Sequence, residues 1–188
     1  MSYHKGFELL KSKLEYEFMS SGMVVAMSEK ELIRYKKRSY QKAFLLSTSL
    51  SLPMGGLAWF SWVADSLALV KLQIKLLKNI AAFREVDEVE TRRLLFWCFA
   101  AEVGLDSNKV QVHFDEKVTI KGALLKQLSE KLTLYLLRRS LGKLGGWVLA
   151  PLMGYFSYGM TKRLVERFEK MLDQKDEAPG IPKIPKTK

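Results

Sequence analysis

The side chains that most often carry out chemistry are few in this chain and lie far apart. His4 and His113 have no cysteine or carboxylate near them at the spacing of a zinc site. The sequence also lacks a G-x-x-x-x-G-K-S/T phosphate loop and a G-x-S-x-G nucleophile turn. The sequence therefore predicts a protein that is not an enzyme and that holds neither a metal ion nor a cofactor.

The single cysteine, Cys98, lies in the apolar run from residue 94 to residue 99. A thiol in such surroundings usually acts as a small hydrophobic side chain rather than as a nucleophile. One cysteine cannot form a disulfide within the chain, and the N-terminus lacks the pattern of a secretory signal. We therefore expect a reducing, cytoplasmic location.

Asp65 is the only charged residue between Ala43 and Val70. A carboxylate in an apolar helix is costly to bury unless it is paired or hydrogen-bonded. The sequence predicts that Asp65 caps a helix or forms an ion pair, and a functional role for this carboxylate is the alternative.

The charge of the chain is strongly positive. Its 31 lysines and arginines exceed its 20 acidic residues, which gives a formal net charge of +11. Such a charge favours anionic partners, which are nucleic acids or anionic membrane surfaces. The sequence has no zinc-finger spacing and no basic region leading into heptads, so nucleic acid is the less favoured partner.

Two groups of basic residues are the candidate contacts for an anionic surface. The first group comprises Arg34, Lys37, Arg38 and Lys42, and the second comprises Lys71, Lys75 and Lys78. The spacing within each group places its members on one face of a helix. A solvated helix face with no partner is the alternative interpretation of both groups.

Apolar residues recur at helical spacing along most of the chain. Ser28 and Glu31 form a capping box that predicts the start of a helix, and Asp87 with Glu90 predicts another. Gly104 predicts a helix end. The sequence therefore predicts an all-α protein, a compact bundle of about six or seven helices.

The domain boundaries follow from composition. We expect one helical domain over residues 1–173, with N-terminal helices in 1–42 and a core in 43–173. Residues 174–188 are rich in proline and lysine. Such a segment buries too little apolar surface to offset the entropy of ordering, so a disordered tail is predicted.

Two long stretches, 43–70 and 144–161, are almost free of charge. Proline and glycine interrupt the first at residues 53–56 and the second at Pro151 and Gly154. Because proline removes a backbone donor and paired glycines permit a tight reversal, each stretch is predicted to be a helical hairpin. Basic residues flank both ends of each stretch, which favours hairpins that dip into one leaflet or form a soluble core over hairpins that cross a bilayer.

Small residues define a set of candidate helix-packing positions. They are Gly55, Gly56, Gly142, Gly146, Ala150 and Gly154. The last four recur every four residues and line up on one helix face, which lets another helix approach closely. We therefore expect Gly146 and Gly154 to lie against a neighbouring helix.

The chain after residue 54 contains several short motifs. They are, in chain order, Gly55-Gly56-Leu57, Asp65, Leu72-Gln73-Ile74, Ile80-Ala81, the segment from Glu90 to Gly104 with Arg92 or Arg93 before an apolar run, Lys143-Leu144-Gly145, Pro151 to Gly154, and Tyr155-Phe156-Ser157-Tyr158. This set resembles the EcsC-like family of bacterial proteins over residues 43–172. The resemblance implies a protein with no established reaction, whose namesake accompanies an ABC transporter and whose related helical domains follow small GTPase modules.

The favoured hypothesis is a non-enzymatic accessory or regulatory protein at the cytoplasmic face of a membrane. Its partner is then an anionic membrane surface or a membrane protein. The resemblance implies that such a membrane protein belongs to a transporter or GTPase system, and self-association into a homo-oligomer stays open. A soluble protein–protein interaction domain with an ordinary apolar core is the first alternative. A nucleic-acid-binding protein is the second.

Overall fold

The chain is described by a computed structural model for residues 3–20, 27–49, 58–105, 122–141 and 150–177. Six helices lie within these described residues. They are α1 (Tyr3–Met19), α2 (Glu29–Ser49), α3 (Ala58–Phe83), α4 (Glu88–Glu102), α5 (Gly122–Leu141) and α6 (Ala150–Glu177). The described residues contain no strand. The protein is an all-α bundle, which confirms the predicted fold class.

The predicted helix ends are present. The carboxylate of Glu31 accepts from the backbone N–H of Ser28 at 2.8 Å, and the Ser28 hydroxyl accepts from the Glu31 N–H at 3.4 Å. These reciprocal bonds satisfy two N–H groups at the start of α2. Asp87 caps α4 by accepting from the Glu90 N–H at 2.9 Å. Gly104 follows α4 with a φ of 67°, a left-handed conformation that glycine adopts without strain.

One apolar core receives buried side chains from all six helices. α4 supplies the uninterrupted buried run from Leu94 to Ala100, so this short helix is enclosed on every side. Phe18 of α1 meets Phe99 of α4 edge to face, with ring centroids 5.2 Å apart. α5 and α6 bury leucines and a phenylalanine at helical spacing, namely Leu128, Leu132, Leu136, Leu164 and Phe168.

The far half of α6 is fastened to α4 by ion pairs. Glu102, the last residue of α4, has a nearly buried carboxylate that pairs with Arg167 at 3.2 Å and with Arg163 at 3.7 Å. A carboxylate at the C-terminal end of a helix is unfavourable for the helix dipole. The two arginines offset that cost and hold α6 against α4.

The two apolar stretches behave differently from each other. The first is divided between the end of α2 and the start of α3, and these two helices pack against each other. In the second, Pro151 and Gly154 do not break a helix, because both lie inside α6. Pro151 is the second residue of α6, where a missing N–H costs no intrahelical bond. The prediction of a break at these two residues is therefore wrong.

The structure also moves two predicted boundaries. The division at residues 42 and 43 falls inside α2, and the N-terminal helices belong to the same core as the rest. α6 continues to Glu177, so the first four residues of the predicted tail, 174–177, are helical. The remainder of the tail and residues 106–121 lie outside the described residues.

Candidate functional site

The C-terminal half of α2 and the N-terminal half of α6 pack side by side in opposite directions. Lys36, in the first half of α2, pairs with Glu169, whereas Thr48 at the end of α2 lies beside Gly154. A Cβ atom on Gly154 would lie 2.8 Å from ring carbons of Phe44 and closer still to the Thr48 hydroxyl oxygen. Glycine at this position therefore permits the close approach of the two helices.

Large apolar side chains cluster where this helix pair ends. We call the following six residues the aromatic tip: Phe44, Leu45, Leu152, Tyr155, Phe156 and Tyr158. Five of the six are exposed, with Tyr155 exposed by 70% and Phe156 by 58%. Contiguous exposed apolar groups of this kind usually mark an interaction surface.

Aromatic contacts join the two sides of the tip and border a groove. Phe44 meets Tyr155 edge to face with ring centroids 5.6 Å apart, and Tyr40 meets Tyr158 at 5.7 Å. Beside these contacts lies a groove of about 440 Å³. Its described lining residues are Gln41, Phe44, Leu45, Tyr155 and Tyr158. Four of the five are exposed, so the groove opens at the surface.

Tyr40, which contacts Tyr158 beside the groove, stays neutral. Burial raises the pKa of Tyr40 to about 12, and the nearby carboxylates of Glu169 and Glu166 act in the same direction. The Tyr40 hydroxyl therefore keeps its proton throughout the physiological range and adds no negative charge to the surface.

The first predicted group of basic residues lies on the same helix as half of the tip. Arg34, Lys37, Arg38 and Lys42, which we call the basic stripe, are all exposed. The ion pair seen on α2 among the described residues joins Glu169 to Lys36, which is not part of the basic stripe. Lys42 precedes Leu45 by one helical step of three residues, which is about 4.5 Å along the axis. The basic stripe thus leads directly into the aromatic tip.

The second predicted group is not an equivalent surface. Lys71 is exposed but pairs with Glu17 at 2.9 Å, and Lys75 is exposed. Lys78 is buried and donates from its ammonium group to the backbone carbonyl of Ser20. Burial lowers the pKa of Lys78 below its usual 10.5. The prediction that Lys78 contacts an anionic surface is wrong, because its buried ammonium group donates a hydrogen bond to a carbonyl just after the end of α1.

Buried polar side chains hold α6 against α2 and α3 next to the tip. The hydroxyls of Ser47 and Ser157 are hydrogen-bonded to each other, and the Gln73 amide donates to the Thr161 hydroxyl at 3.0 Å. We call these four residues the polar seam. Within the part of the chain that the structure describes, the Gln73 carbonyl oxygen is buried without a partner. Because hydrogen bonds are directional, the seam fixes the register of the three helices.

Asp65 is buried in the interior of α3. It therefore does not cap α3, and a cap on another helix stays a prediction. The ion pair expected for its carboxylate stays a prediction.

Most of the predicted packing positions lie outside the described residues. These are Gly55, Gly56, Gly142 and Gly146. Ala150 is the first residue of α6. Gly154 is the position at which a close contact between helices is observed.

Sequence reasoning did not single out the aromatic tip, although α6 carries a signal for it. The core face of α6 includes Leu164 and Phe168. Helical steps backwards from these residues lead to Met153 and Ser157, which are buried, and not to Tyr155 or Phe156. The side chains of Tyr155 and Phe156 therefore fall on the solvent face. Because this stretch has no charged residues to mark a solvent face, sequence reasoning did not identify them as exposed.

The thiol of Cys98 lies away from this surface and is shielded. It donates to the backbone carbonyl of Leu164 at 3.3 Å, and burial raises the pKa of the thiol to about 12. Such a thiol is almost entirely protonated at neutral pH and acts as a core side chain. Among the described residues, no three histidine, cysteine or acidic side chains come together as a metal site.

None of the helices in the described ranges combines the length and the hydropathy needed to cross a bilayer. Comparison of the chain with family models, with curated proteins and with solved structures gave no match.

Proposed function

We propose that this protein is a non-enzymatic accessory or regulatory protein that binds peripherally to the cytoplasmic face of an anionic membrane. The observation that carries the proposal is the adjacency of the aromatic tip and the basic stripe on one pair of helices. Tyrosine and phenylalanine side chains favour the boundary between membrane and water. Lysine and arginine near that boundary are attracted to anionic lipid headgroups.

The dimensions of the tip support shallow insertion. On α6 the exposed apolar residues extend from Leu152 to Tyr158, which is about 9 Å along the helix axis. The next cation on α6, Lys162, follows about 6 Å further on. Helices at a membrane surface bury their apolar side chains to a depth of about 5–10 Å, with basic residues at the headgroups.

The resemblance to EcsC-like proteins enters the same proposal. It supports a second partner, a membrane protein that belongs to a transporter or GTPase system. A homo-oligomer formed at the membrane is compatible with this arrangement.

Charge reversal in the basic stripe tests the electrostatic part of the proposal. The double variant Arg38→Glu, Lys42→Glu should weaken binding to vesicles containing phosphatidylglycerol by about thirtyfold or more, because each basic residue near an anionic surface contributes about 1 kcal/mol. The control is Lys13→Glu, Lys126→Glu, which changes the net charge equally at exposed positions of α1 and α5. Equal losses for both double variants would show that only the net charge of the chain matters.

A matched pair of tyrosines tests the apolar part. Tyr155 in the tip is 70% exposed and Tyr16 on α1 is 67% exposed. Tyr155→Ala should weaken vesicle binding about tenfold through loss of inserted apolar surface, whereas Tyr16→Ala should leave binding unchanged. Vesicle sedimentation at low ionic strength and again at high salt measures both effects, and the electrostatic part should diminish with salt.

A protein–protein interaction domain is the second candidate function. Exposed tyrosine and phenylalanine are also enriched at protein interfaces. If the wild-type protein does not bind anionic vesicles at low ionic strength, the membrane proposal is wrong and the aromatic tip is instead assigned to a protein partner.

A further inference from the structure

We infer that the groove beside the aromatic tip holds one acyl chain of a single anionic phospholipid, with the lipid phosphate against Arg38 and Lys42. The inference rests on the proposed function and deepens it. Adsorption to a membrane requires only a patch, whereas this inference assigns a site that takes one lipid molecule.

The lining of the groove suits a hydrocarbon chain. Phe44, Leu45, Tyr155 and Tyr158 surround it with apolar and aromatic surface, and Gln41 supplies an amide. No lysine, arginine or carboxylate is among the described lining residues. Its volume of about 440 Å³ lies within the range of about 300–1,000 Å³ that small-molecule sites occupy. An uncharged, elongated apolar group therefore fits the groove better than a charged one.

The positive charges of Arg38 and Lys42 beside the groove indicate which lipid headgroup it would accept. Arg38, Gln41, Lys42 and Leu45 are all exposed and recur on one face of α2 at three- and four-residue steps. Leu45 and Gln41 line the groove, and the two cations lie next to Gln41 and one turn before it. A phosphate beside Gln41 could accept from the amide and from both cations. The apolar lining and the adjacent cations together match an anionic lipid and do not match a neutral one.

The helix pair can keep the groove open before lipid arrives. Gly154 fixes the close approach of α2 and α6, and the Phe44–Tyr155 contact orients one wall. The hydroxyl pair of Ser47 and Ser157 fixes the register of the two helices nearby. A groove held by these contacts loses little conformational freedom on binding, which favours affinity.

Binding of monomeric single-chain lipids to the full-length protein tests the inference apart from membrane adsorption. Lyso-phosphatidylglycerol with octanoyl, decanoyl and dodecanoyl chains is titrated below its critical micelle concentration and followed by calorimetry. We expect one molecule bound per protein chain. Affinity should rise about fifteenfold for every two methylenes until the groove is full, since each buried methylene contributes about fourfold. Lyso-phosphatidylcholine of equal length should bind about tenfold more weakly.

Variants at two exposed residues distinguish lipid binding in the groove from membrane binding by the tip. Gln41→Trp fills the groove and should abolish binding of the single lipid, whereas vesicle binding should be retained because the tip and the basic stripe are unchanged and tryptophan favours the membrane–water boundary. Phe156→Ala removes a tip residue that is not among the described lining residues. It should weaken vesicle binding and leave binding of the single lipid unchanged. Circular dichroism of both variants verifies that the helices are retained.

Three results would overturn the inference even if monomeric lipid binds. They are an affinity independent of chain length, equal affinity for the anionic and neutral lipids, and undiminished lipid binding by Gln41→Trp. If monomeric lipid fails to bind while vesicles still bind, the inference is wrong and the proposed function stands. If vesicles also fail to bind, both are wrong.

Discussion

The core around α4 and the contact between α2 and α6 are held together by different kinds of interaction. Around α4, a continuous buried run from Leu94 to Ala100 meets apolar side chains on every side. Between α2 and α6, Gly154 permits close approach and hydroxyl groups form hydrogen bonds, while aromatic rings remain exposed. The first region derives its stability from apolar burial. In the second, glycine and small hydroxyl side chains occupy the close contact, and the large side chains beside it stay exposed.

Truncation in the core should produce the largest loss of stability. Phe99 is fully buried and packs edge to face on Phe18. Phe99→Ala should lower the free energy of unfolding by about 3–5 kcal/mol, because the cavity left behind collapses only partly. Urea denaturation measures the change. A loss below about 1 kcal/mol would show that the core around α4 is loosely packed and would remove one side of the comparison.

Alkaline pH should destabilise both regions, and the core more strongly. The folded-state pKa is about 12 for Cys98, against an ordinary 9.0, and about 12 for Tyr40, against 10.0. The unfolded chain therefore releases these protons at lower pH. The stability from each group is fully present below its ordinary pKa and is lost as pH rises towards 12.

Single substitutions distinguish the two contributions. Cys98→Ala should remove up to about 4 kcal/mol of pH-dependent stability between about pH 9 and 12, since a pKa difference of one unit corresponds to about 1.4 kcal/mol. Tyr40→Phe should remove less, because Tyr40 is only partly buried. Denaturation curves at stepped alkaline pH provide the measurement. A steeper pH dependence for Cys98→Ala than for wild type would contradict the shielding of the thiol.

Two glycines of α6 sharpen the comparison at the helix contact. A methyl group at Gly154 would overlap Thr48 and Phe44, whereas at Gly159 its one contact within 4 Å among the described residues would be the Arg163 guanidinium at 3.8 Å. Gly154→Ala should destabilise by about 1–3 kcal/mol through overpacking. Gly159→Ala should stabilise by up to about 1 kcal/mol through helix propensity. Thermal melts of the two variants should therefore shift in opposite directions, and an unchanged or raised melting temperature for Gly154→Ala would show that α2 and α6 can move apart at this contact without cost.

The smallest effect on stability is expected in the tip. Phe156 is exposed by 58%, so Phe156→Ala should change the free energy of unfolding by less than about 0.5 kcal/mol. The same variant is expected to weaken vesicle binding. A large loss of stability together with unchanged vesicle binding would assign Phe156 to the fold and not to a partner.

Local sequence rules predicted the helices and several of their ends. The capping box at Ser28 and the cap at Asp87 use bonds between residues three positions apart, which spacing alone reveals. Pro151 misled the prediction because its meaning depends on whether it opens a helix or interrupts one. The sequence did not distinguish these cases.

The surface was harder to predict because exposure depends on which helices pack together. Lys78 shares the periodicity of Lys71 and Lys75, yet it is buried and donates to the Ser20 carbonyl just after the end of α1. Tyr155 and Phe156 have an apolar character typical of a core, yet α2 packs closely on the neighbouring Gly154 and leaves both side chains largely exposed. Residues distant in sequence decide both outcomes, and periodicity within one helix does not contain that information.

The pairing of Glu102 with Arg163 and Arg167 anchors the middle of α6 to α4. Opening of α6 should therefore begin at its two ends and progress towards the arginines. Amide hydrogen exchange should be slowest between residues 160 and 172 and fastest in the terminal turns of the helix. Because Tyr155 and Phe156 lie between the first turn and the anchored segment, a bound membrane should slow exchange around them while leaving the anchored segment unchanged.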